Sequence, residues 1–325
     1  MWRSSTVKMV LAGGVVAASA VAVAAYMSRS KTKKAVINYM IKEFQMKHVH
    51  IRDPERVERI VTELIKDGHG NLQVVSDFDR TITRFMFEDR KVPTCHGVLD
   101  DCPALPESYR DKANKLRAKY LPLEFSNNLS IDEKYNLMVE WWTSAHNLLV
   151  DAGLKRADLK EMIAKSGMVL REGSTKLFKQ LNDADVPCLV FSAGIGDVLA
   201  EAITQFSKFF PNMQIVSNFM DFDEQDNLVG FKGEMIHTYN KHEVAVHHPE
   251  YFERHKHRTN VILLGDTLGD LTMADGMPQA KNVLTIGFLN DHIDQNLESY
   301  KDSFDIVLIS DETMDLPNAI LQKVL

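Results

Sequence analysis

The stretch Leu72–Phe85 reads LQVVSDFDRTITRF and places Asp77 and Asp79 directly after an apolar run. A short apolar run that ends in charged residues indicates a buried strand followed by a loop. Aspartate is a poor strand former, and two carboxylates this close together repel each other. We therefore expect a bound group to balance the two charges at the end of this strand.

Five further apolar runs follow along the chain, and helical patterns separate them. Continuous apolar runs bounded by turn residues are typical of strands buried on both faces, as in a parallel sheet. Strand–helix alternation of this kind predicts an α/β fold built on a doubly wound parallel sheet. The predicted strands are 72–76, 188–192, 213–217, 261–265, 283–288 and 305–309, and the clearest helices are Arg56–Lys66, Thr175–Asn182 and Gly196–Phe206.

The distance between the first two predicted strands is too long for one crossover helix. Helical patterns fill it at Glu107–Tyr120, Ser130–Val150 and Lys155–Ser166, and they predict a helical cap inserted after the first strand. Residues 222–238 predict a hairpin before the chain returns to the core. We divide the chain into an N-terminal hydrophobic anchor with a basic flank (1–34), the start of the α/β core (35–84), the cap (85–170) and the rest of the core (171–325).

The composition excludes several classes of protein. The 325 residues carry a formal net charge of −7, which argues against a general nucleic-acid-binding protein. Cys95, Cys102 and Cys188 are too few for a disulfide framework and fit a reducing compartment. Cys95, His96 and Cys102 fall in a predicted loop, where three local ligands are too few for a zinc site. The histidines at 247, 248, 255 and 257 are expected on a solvated helix face.

The N-terminus forms a separate module, because residues 1–42 hold seven basic residues and no acid. Within it, the uncharged run Met9–Met27 is about long enough to cross a bilayer as a helix. The basic residues that follow it would keep the C-terminal side in the cytosol. We expect an uncleaved single-pass anchor in the endoplasmic reticulum or the outer mitochondrial membrane. A cleaved signal peptide and a mitochondrial transit peptide are the alternatives.

The carboxylates of the sequence follow the predicted strands. Asp77 and Asp79 follow the first strand, and Asp266 and Asp270, in GDTLGDLTMADG, follow the strand at 261–265. Because ligands of open parallel sheets bind at the carboxyl ends of the strands, we expect these four side chains to meet. Four carboxylates in one pocket require a cation, and oxygen-only ligands indicate Mg²⁺.

A second polar cluster, SAGIGD, follows the strand at 188–192. Ser192, together with the backbone N–H groups of Ala193 and Gly194 at the start of the next helix, predicts a phosphate cradle that a lysine would complete. A single DxD motif is more often a capped turn than a site. Three clusters in this order, each behind a strand, favour a phosphate site that contains Mg²⁺.

The order DxDxT, Ser, Lys and GDxxxD resembles the haloacid dehalogenase superfamily. Within it, the chain is similar to the cytosolic 5′-nucleotidase III family, whose members are specific for pyrimidine or 7-methylguanosine monophosphates. The resemblance covers roughly residues 40–325 of this chain. It rests on DFDRTITRF, FSAGIGDVL, VSNFMDFDE, GFKGEMIHTYNKH, LLGDTLGDLTMADG and IGFLNDH.

The resemblance implies a Mg²⁺-dependent 5′-nucleotidase. Asp77 would be the nucleophile that forms an aspartyl-phosphate, and Asp79 would protonate the leaving 5′-oxygen and then deprotonate the attacking water. The Asp77 carboxylate, the Asp79 backbone carbonyl and Asp266 would hold Mg²⁺. Asp270 would support the waters of the metal or the lysine, and Lys241, in YNKH, would bind the phosphate.

The resemblance also implies a base pocket in the cap. Glu124 would accept hydrogen bonds from the amino group of cytosine, or from the ring N–H and amino group of guanine. Trp142 falls where the family has its base-stacking aromatic residue, and tryptophan gives the strongest cation–π contact to a 7-methylated guanine. Trp141 points about 100° away on a helix and is expected in the core. Ala145 stands where the pyrimidine branch of the family has a serine. This replacement favours 7-methylguanosine monophosphate as the substrate, with cytidine monophosphate as the second.

Two other functions remain open from the sequence. The same nucleophile would serve a nucleoside phosphotransferase or a phosphatase of another small monoester. A non-catalytic membrane scaffold is the alternative from a different class. The expected partner is a nucleoside 5′-monophosphate and not a nucleic-acid polymer, and a monomer is favoured.

Overall fold

The computed structural model describes residues 41–124, 126, 128–247 and 249–325. Residues Lys47–Leu325 form one compact unit, and the described residues before Lys47 belong to a separate one. In the described part of the first unit, Lys42–Gln45 forms a 3₁₀ turn. The predicted anchor at 9–27 and its basic flank lie outside the described residues. Among the residues that are described, no helix combines the length and the apolar character needed to cross a bilayer.

A central sheet organises residues 47–325, with strands in the order β1-β11-β10-β9-β2-β5-β6. All neighbouring pairs are parallel except the pair of the short edge strand β1 with β11. This confirms the predicted doubly wound sheet. The strands are β1 (Val49–His50), β2 (Leu72–Ser76), β3 (Met86–Phe87), β4 (Arg90–Lys91), β5 (Cys188–Ile195), β6 (Met213–Asn218), β7 (Met220–Phe222), β8 (Leu228–Phe231), β9 (Asn260–Gly265), β10 (Asn282–Leu289) and β11 (Ile306–Ile309).

Some of the helices pack on this sheet, and others form the segment that is inserted between β2 and β5. In chain order they are α1 (Pro54–Asp67), α2 (Cys95–Asp100), α3 (Glu107–Glu124), α4 (Ile131–Asp151), α5 (Arg156–Lys165), α6 (Ser174–Asp183), α7 (Gly196–Phe206), α8 (Lys241–His247), α9 (Pro249–Arg254), α10 (Ile293–Ser303) and α11 (Asp315–Val324). The predicted helices at 56–66, 175–182 and 196–206 are confirmed.

Local sequence explains why these helices form and which face they bury. Helix α1 begins at Pro54 behind Asp53, whose side chain accepts a hydrogen bond from the backbone N–H of Arg56. It ends before Gly68, which has a φ of 69° that favours glycine. Its buried residues follow helical spacing, at Val57, Ile60, Val61 and Leu64.

The buried core on one face of the sheet supports the helix that begins at Lys241. Side chains of β2, β5, β9 and β11, among them Val75, Phe191 and Leu263, pack with buried residues of α8 and α9. Burying side chains of this size stabilises the fold by about 1.5–3 kcal/mol each. The position of the first residue of α8 relative to the strand ends is therefore set by the packing of the core.

The inserted segment contains the three predicted cap helices, and α3 continues to Glu124 instead of ending at Tyr120. Between β2 and α2 the segment also forms the hairpin β3–β4, which the sequence analysis missed. Glu88 and Asp89 turn this hairpin with positive φ angles of 48° and 61°. The domain boundaries at 34, 84 and 170 stay a prediction.

Two local predictions were wrong. Cys95 and His96 lie in helix α2 and not in a loop, because the Thr94 side chain accepts from the backbone N–H of Gly97 and caps the helix. The hairpin predicted at 222–238 is formed by β7 and β8 and ends at Phe231. Residues 232–240 form a loop that leads into α8.

Candidate active site

Three neighbouring strands bring the predicted site residues together. Strands β9, β2 and β5 are adjacent in the sheet and parallel. Asp77 follows β2, Asp266 follows β9, and Ser192 lies near the carboxyl end of β5. Carboxyl ends of parallel strands share one edge of the sheet, so residues far apart in sequence become neighbours there.

Lys241 joins two of the carboxylates in a buried ion-pair triangle. Its Nζ donates to Asp77 Oδ1 and to Asp270 Oδ1, each over 2.6 Å, and to the backbone carbonyl of Phe191 over 3.2 Å. Its side chain is only 3 % exposed. Burial lowers the pKa of Lys241, but Asp270 and Asp77 raise it by more, so the ammonium stays charged. The structure thus places a fixed cation at the end of β2.

Asp77, Asp266 and Asp270 have the chemistry of a site for a hard cation. One oxygen from each lies within 4.8 Å of the other two. Burial raises the pKa of Asp77 to about 7, although Lys241 opposes this rise, and burial also raises the pKa of Asp266 well above its usual value. A divalent cation would keep these carboxyls ionised, and all their donor atoms are oxygens, so the set fits Mg²⁺.

Asp270 is already committed to protein donors. Its Oδ2 accepts from the backbone N–H groups of Asp266 and Thr267, over 3.0 and 2.8 Å, and from the Thr267 hydroxyl over 3.0 Å. Its Oδ1 accepts from Lys241. These bonds suit a residue that positions Lys241 and the loop carrying Asp266 better than a direct metal ligand.

Asp79 lies beside the cap helix α2. The backbone N–H of Cys95 donates to both of its carboxylate oxygens, over 2.9 and 3.1 Å. Burial raises the pKa of Asp79 to about 6, and the Cys95 N–H group opposes this rise. A carboxyl with a pKa close to neutral can both give and take a proton. Burial raises the pKa of the Cys95 thiol well above its usual value, so the thiol itself stays protonated.

The Ser192–Gly194 segment is a bulged end of strand β5. The prediction that Ala193 and Gly194 begin a helix was wrong, because the strand continues to Ile195 and α7 begins at Gly196. The pairing of β5 with β6 is interrupted between Phe191 and Ile195. Within the bulge, the N–H of Gly194 donates to Ser192 Oγ over 3.0 Å. Ser192 Oγ is the acceptor in this contact, so its hydroxyl can still donate to a ligand.

Asn218 clamps this bulge and was missed by the sequence analysis. Its Nδ2 donates to the backbone carbonyls of Ala193, Gly194 and Ile236, over 2.9, 3.2 and 2.8 Å. Its Oδ1 accepts from the N–H of Ile236 over 2.8 Å. Its place at the end of the apolar run 213–217 is the signal that could have identified it, since polar residues at the ends of parallel strands gather at one edge.

Arg171 is a second residue that the sequence analysis missed. It is 1 % exposed, and its guanidinium donates to the carbonyls of Arg80 and Thr81 and to Asn290 Oδ1. Arg80 has a positive φ of 63°. A buried cation thus holds the strained turn that follows Asp79.

The predicted base-pocket residues lie on the helices of the inserted segment. Trp142 Nε1 donates to the carbonyl of Ala193 over 3.1 Å, and its ring makes an edge contact with His96 at a centroid distance of 5.7 Å. Ala145, half-buried, is one helical turn further along α4. Trp141 stacks on the buried Tyr120. The structure therefore brings Trp142 to the Ser192–Gly194 bulge, whereas Trp141 is half-buried and not in the core, where it was expected.

Glu124 reaches the loop before Lys241. Its Oε1 accepts from the Thr238 hydroxyl over 2.7 Å, and its backbone carbonyl accepts from the Tyr239 hydroxyl over 2.8 Å. Burial raises the pKa of Glu124, and the Thr238 hydroxyl, Arg80 and Lys134 oppose the rise. A carboxylate of the inserted segment is thereby linked to the loop that precedes Lys241.

Known proteins resemble this chain over most of its length. Residues 80–325 match the family model for pyrimidine 5′-nucleotidase (UMPH-1). The human 7-methylguanosine phosphate-specific 5′-nucleotidase is 46 % identical over 277 residues, which are 85 % of this chain and 92 % of that protein. A crystal structure of cytosolic 5′-nucleotidase IIIB bound to cytidine is similar, with a TM-score of 0.82 and 37 % identity over 87 % of this chain and 96 % of its own.

A more distant structure shows the fold alone. A HAD family hydrolase from Salmonella enterica has a TM-score of 0.52 and 13 % identity, over 78 % of this chain and 72 % of its own. The predicted resemblance to the cytosolic 5′-nucleotidase III family is confirmed by the family model and by the relatives at high identity. The chain belongs to the pyrimidine 5′-nucleotidase (UMPH-1) family.

Proposed function

We propose that this protein is a Mg²⁺-dependent 5′-nucleotidase that hydrolyses nucleoside 5′-monophosphates to nucleoside and phosphate. The observation that carries the proposal is the buried triangle in which Lys241 lies 2.6 Å from Asp77 and from Asp270. A nucleophilic carboxylate and a fixed ammonium at one strand end are suited to phosphoryl transfer. The human relative named as a 7-methylguanosine phosphate-specific 5′-nucleotidase supports the substrate class.

Asp77 and Asp79 divide the chemistry between them. An oxygen of Asp77 attacks phosphorus, the bond from phosphorus to the 5′-oxygen breaks, and Asp79 gives its proton to that oxygen. In the second step Asp79 removes a proton from water, the water oxygen bonds to phosphorus, and the bond to Asp77 breaks to release phosphate. The raised pKa of Asp79, about 6, suits a group that alternates between acid and base.

The groups around the nucleophile bind the phosphoryl oxygens. Lys241 and the hydroxyl of Ser192 donate to them, and the N–H of Ala193 is the third proposed donor. Asp77, the Asp79 carbonyl and Asp266 would hold Mg²⁺, which would neutralise charge on the phosphoryl oxygens. Asp270 supports this set by holding Lys241 in place.

Glu124, Trp142 and Ala145 are proposed to select the base. Glu124 accepts hydrogen bonds from the base edge, and Trp142 offers an aromatic face to the cationic ring of 7-methylguanine. We propose 7-methylguanosine monophosphate as the first substrate and cytidine monophosphate as the second. The relative with bound cytidine supports a pocket of this class that also accepts a pyrimidine nucleoside.

A substrate panel tests this function. Phosphate release by the full chain with Mg²⁺ is measured for 7-methylguanosine, cytidine, uridine and adenosine monophosphates, with EDTA as the control. We expect kcat/KM to be highest for 7-methylguanosine monophosphate and activity to disappear with EDTA. A cation–π contact in a desolvated site is worth about 2 kcal/mol, so an advantage of about tenfold or more over cytidine monophosphate is expected. A higher value for cytidine monophosphate would reject Trp142 as the selector, and no release from any nucleotide would reject the function.

We also propose a cytosolic catalytic unit that residues 9–27 anchor to a membrane. The cytosolic 5′-nucleotidase IIIB relative supports the compartment, and the basic residues after the apolar run support the orientation. In cells that express the full chain, the protein is expected to stay in the membrane pellet after alkaline carbonate extraction. A variant without residues 1–34 should be released, and release of the full chain would contradict the anchor.

A further inference from the structure

Two side chains of the loop before Lys241 hold Glu124. Thr238 Oγ1 donates to Glu124 Oε1 over 2.7 Å, and the Tyr239 hydroxyl donates to the Glu124 backbone carbonyl over 2.8 Å. Glu124 is the last residue of helix α3, so Tyr239 satisfies one of the carbonyls that a helix end leaves without an internal partner. One contact fixes the position of Glu124 and the other fixes the direction of its carboxylate.

The loop that makes these contacts is itself well ordered by hydrogen bonds. Asn240 Oδ1 accepts from the N–H of His237, and Asn240 Nδ2 donates to the carbonyl of Met235, each over 2.7 Å. His237 is fully buried, and its Nδ1 accepts from the N–H of Tyr239 over 3.2 Å. A loop tied in this way is a firm support for a side chain of the inserted segment.

The loop before Lys241 also approaches the segment that carries Asp266 and Asp270. A Cβ added at Gly269 would lie 2.6 Å from the carbonyl of Thr238, so only glycine allows this approach. Gly269 lies between Asp266 and Asp270, and Thr238 is three residues before Lys241. Thr238 therefore contacts the Glu124 carboxylate on one side and the backbone at Gly269 on the other.

We propose that Thr238 and Tyr239 are positioning residues that fix the plane of the Glu124 carboxylate for base recognition, an inference that rests on the proposed nucleotidase function. With one oxygen held by Thr238, the carboxylate cannot turn freely before a base arrives. The two parallel donors of a guanine edge require a coplanar carboxylate, whereas the single amino group of cytosine tolerates rotation. Thr238 thus favours 7-methylguanosine monophosphate over cytidine monophosphate.

Thr238→Val tests the inference, because it removes the hydroxyl and nearly keeps the shape. We expect kcat/KM for 7-methylguanosine monophosphate to fall about tenfold, mainly through KM, and that for cytidine monophosphate to fall about two- to threefold. Turnover of ribose 5-phosphate, which has no base, is expected to be unchanged. Thr238→Ser keeps the donor and should retain the parent preference, and Tyr239→Phe should weaken it in the same direction as Thr238→Val.

Thr62→Val is the matched control, because Thr62 is exposed on α1 and its hydroxyl bonds within that helix, to the carbonyl of Glu58. It should leave all three substrates unchanged. An equal loss with ribose 5-phosphate would overturn the inference, because Thr238 would then act through Lys241. An unchanged base preference in folded Thr238→Val would overturn it and leave the nucleotidase function intact. A parent that cleaves ribose 5-phosphate but no nucleotide would overturn both.

Discussion

Asp77→Asn is expected to lower phosphate release by about 10⁴-fold or more, because an amide cannot form the acyl-phosphate that a carboxylate forms. The variant is nevertheless expected to fold. Burial and the nearby carboxylates disfavour the charge at this position and raise the pKa of Asp77 to about 7, so a neutral amide of the same shape is well tolerated. We expect a midpoint of thermal unfolding without Mg²⁺ that equals or exceeds that of the parent.

The measurement combines steady-state phosphate release with thermal unfolding followed by circular dichroism. Intact-protein mass checks that the introduced amide has not deamidated. Asp111→Asn, an exposed aspartate of helix α3, serves as the matched control and should retain full activity. A folded Asp77→Asn protein with more than a few per cent of parent activity would show that Asp77 is not the nucleophile.

Lys241→Met is expected to reduce both activity and stability. The substitution removes the ammonium that lies 2.6 Å from Asp77 and from Asp270 and leaves two buried carboxylates facing each other. Removing one partner of a buried ion pair costs about 3–5 kcal/mol. If Lys241 binds the phosphoryl oxygens as proposed, its loss should lower kcat by about 10²–10³-fold.

The stability loss should depend on pH. Without Lys241 the pKa of Asp77 rises above its parent value of about 7, because burial and Asp270 raise it and the opposing cation is gone. A folded-state pKa raised above the unfolded value means that the folded protein binds more protons, so stability falls as pH rises between the two values. The deficit of Lys241→Met should therefore be small near pH 5 and largest above pH 7.

Urea unfolding of parent and variant at pH 5 and pH 8, without Mg²⁺, measures this difference. Lys323→Met, an exposed lysine of α11, is the control and should change the free energy of unfolding by less than about 0.5 kcal/mol. A deficit that is equal at both pH values would mean that the lysine stabilises the fold by packing and not by its charge. Full activity in Lys241→Met would remove it from the phosphate site.

Much of the fold and part of the site could be predicted from the sequence. The apolar runs at 72–76, 213–217 and 261–265 became strands with bounds close to those expected. Because carboxyl ends of parallel strands share an edge, the meeting of Asp77, Asp266 and Asp270 followed from the strands alone. The phosphate-binding role of Lys241 was predicted from the resemblance of the chain to a family, because no spacing rule connects residue 241 to residue 77.

The division of labour among these residues could not be predicted from the residue pattern alone, and the sequence analysis took it from the family resemblance. Four aspartates behind strands look alike in the sequence, yet Asp270 is saturated by Lys241 and by the N–H groups of its own loop. Asp79 instead accepts from Cys95 in a helix that was expected to be a loop. Which acid binds a metal, holds a lysine or carries a proton depends on donors that arrive from elsewhere in the chain.

The sequence by itself determined the α/β architecture, the edge of the sheet that carries the site and the residue types available there. These follow from strand burial and strand-end position, which are local properties of a chain. Only the tertiary structure decided that Asn218 clamps the Ser192 bulge and that Thr238 and Tyr239 hold Glu124. The contacts of Glu124 join residues that are more than a hundred positions apart in the chain. Their geometry is set by the packing of the core and not by any local sequence pattern.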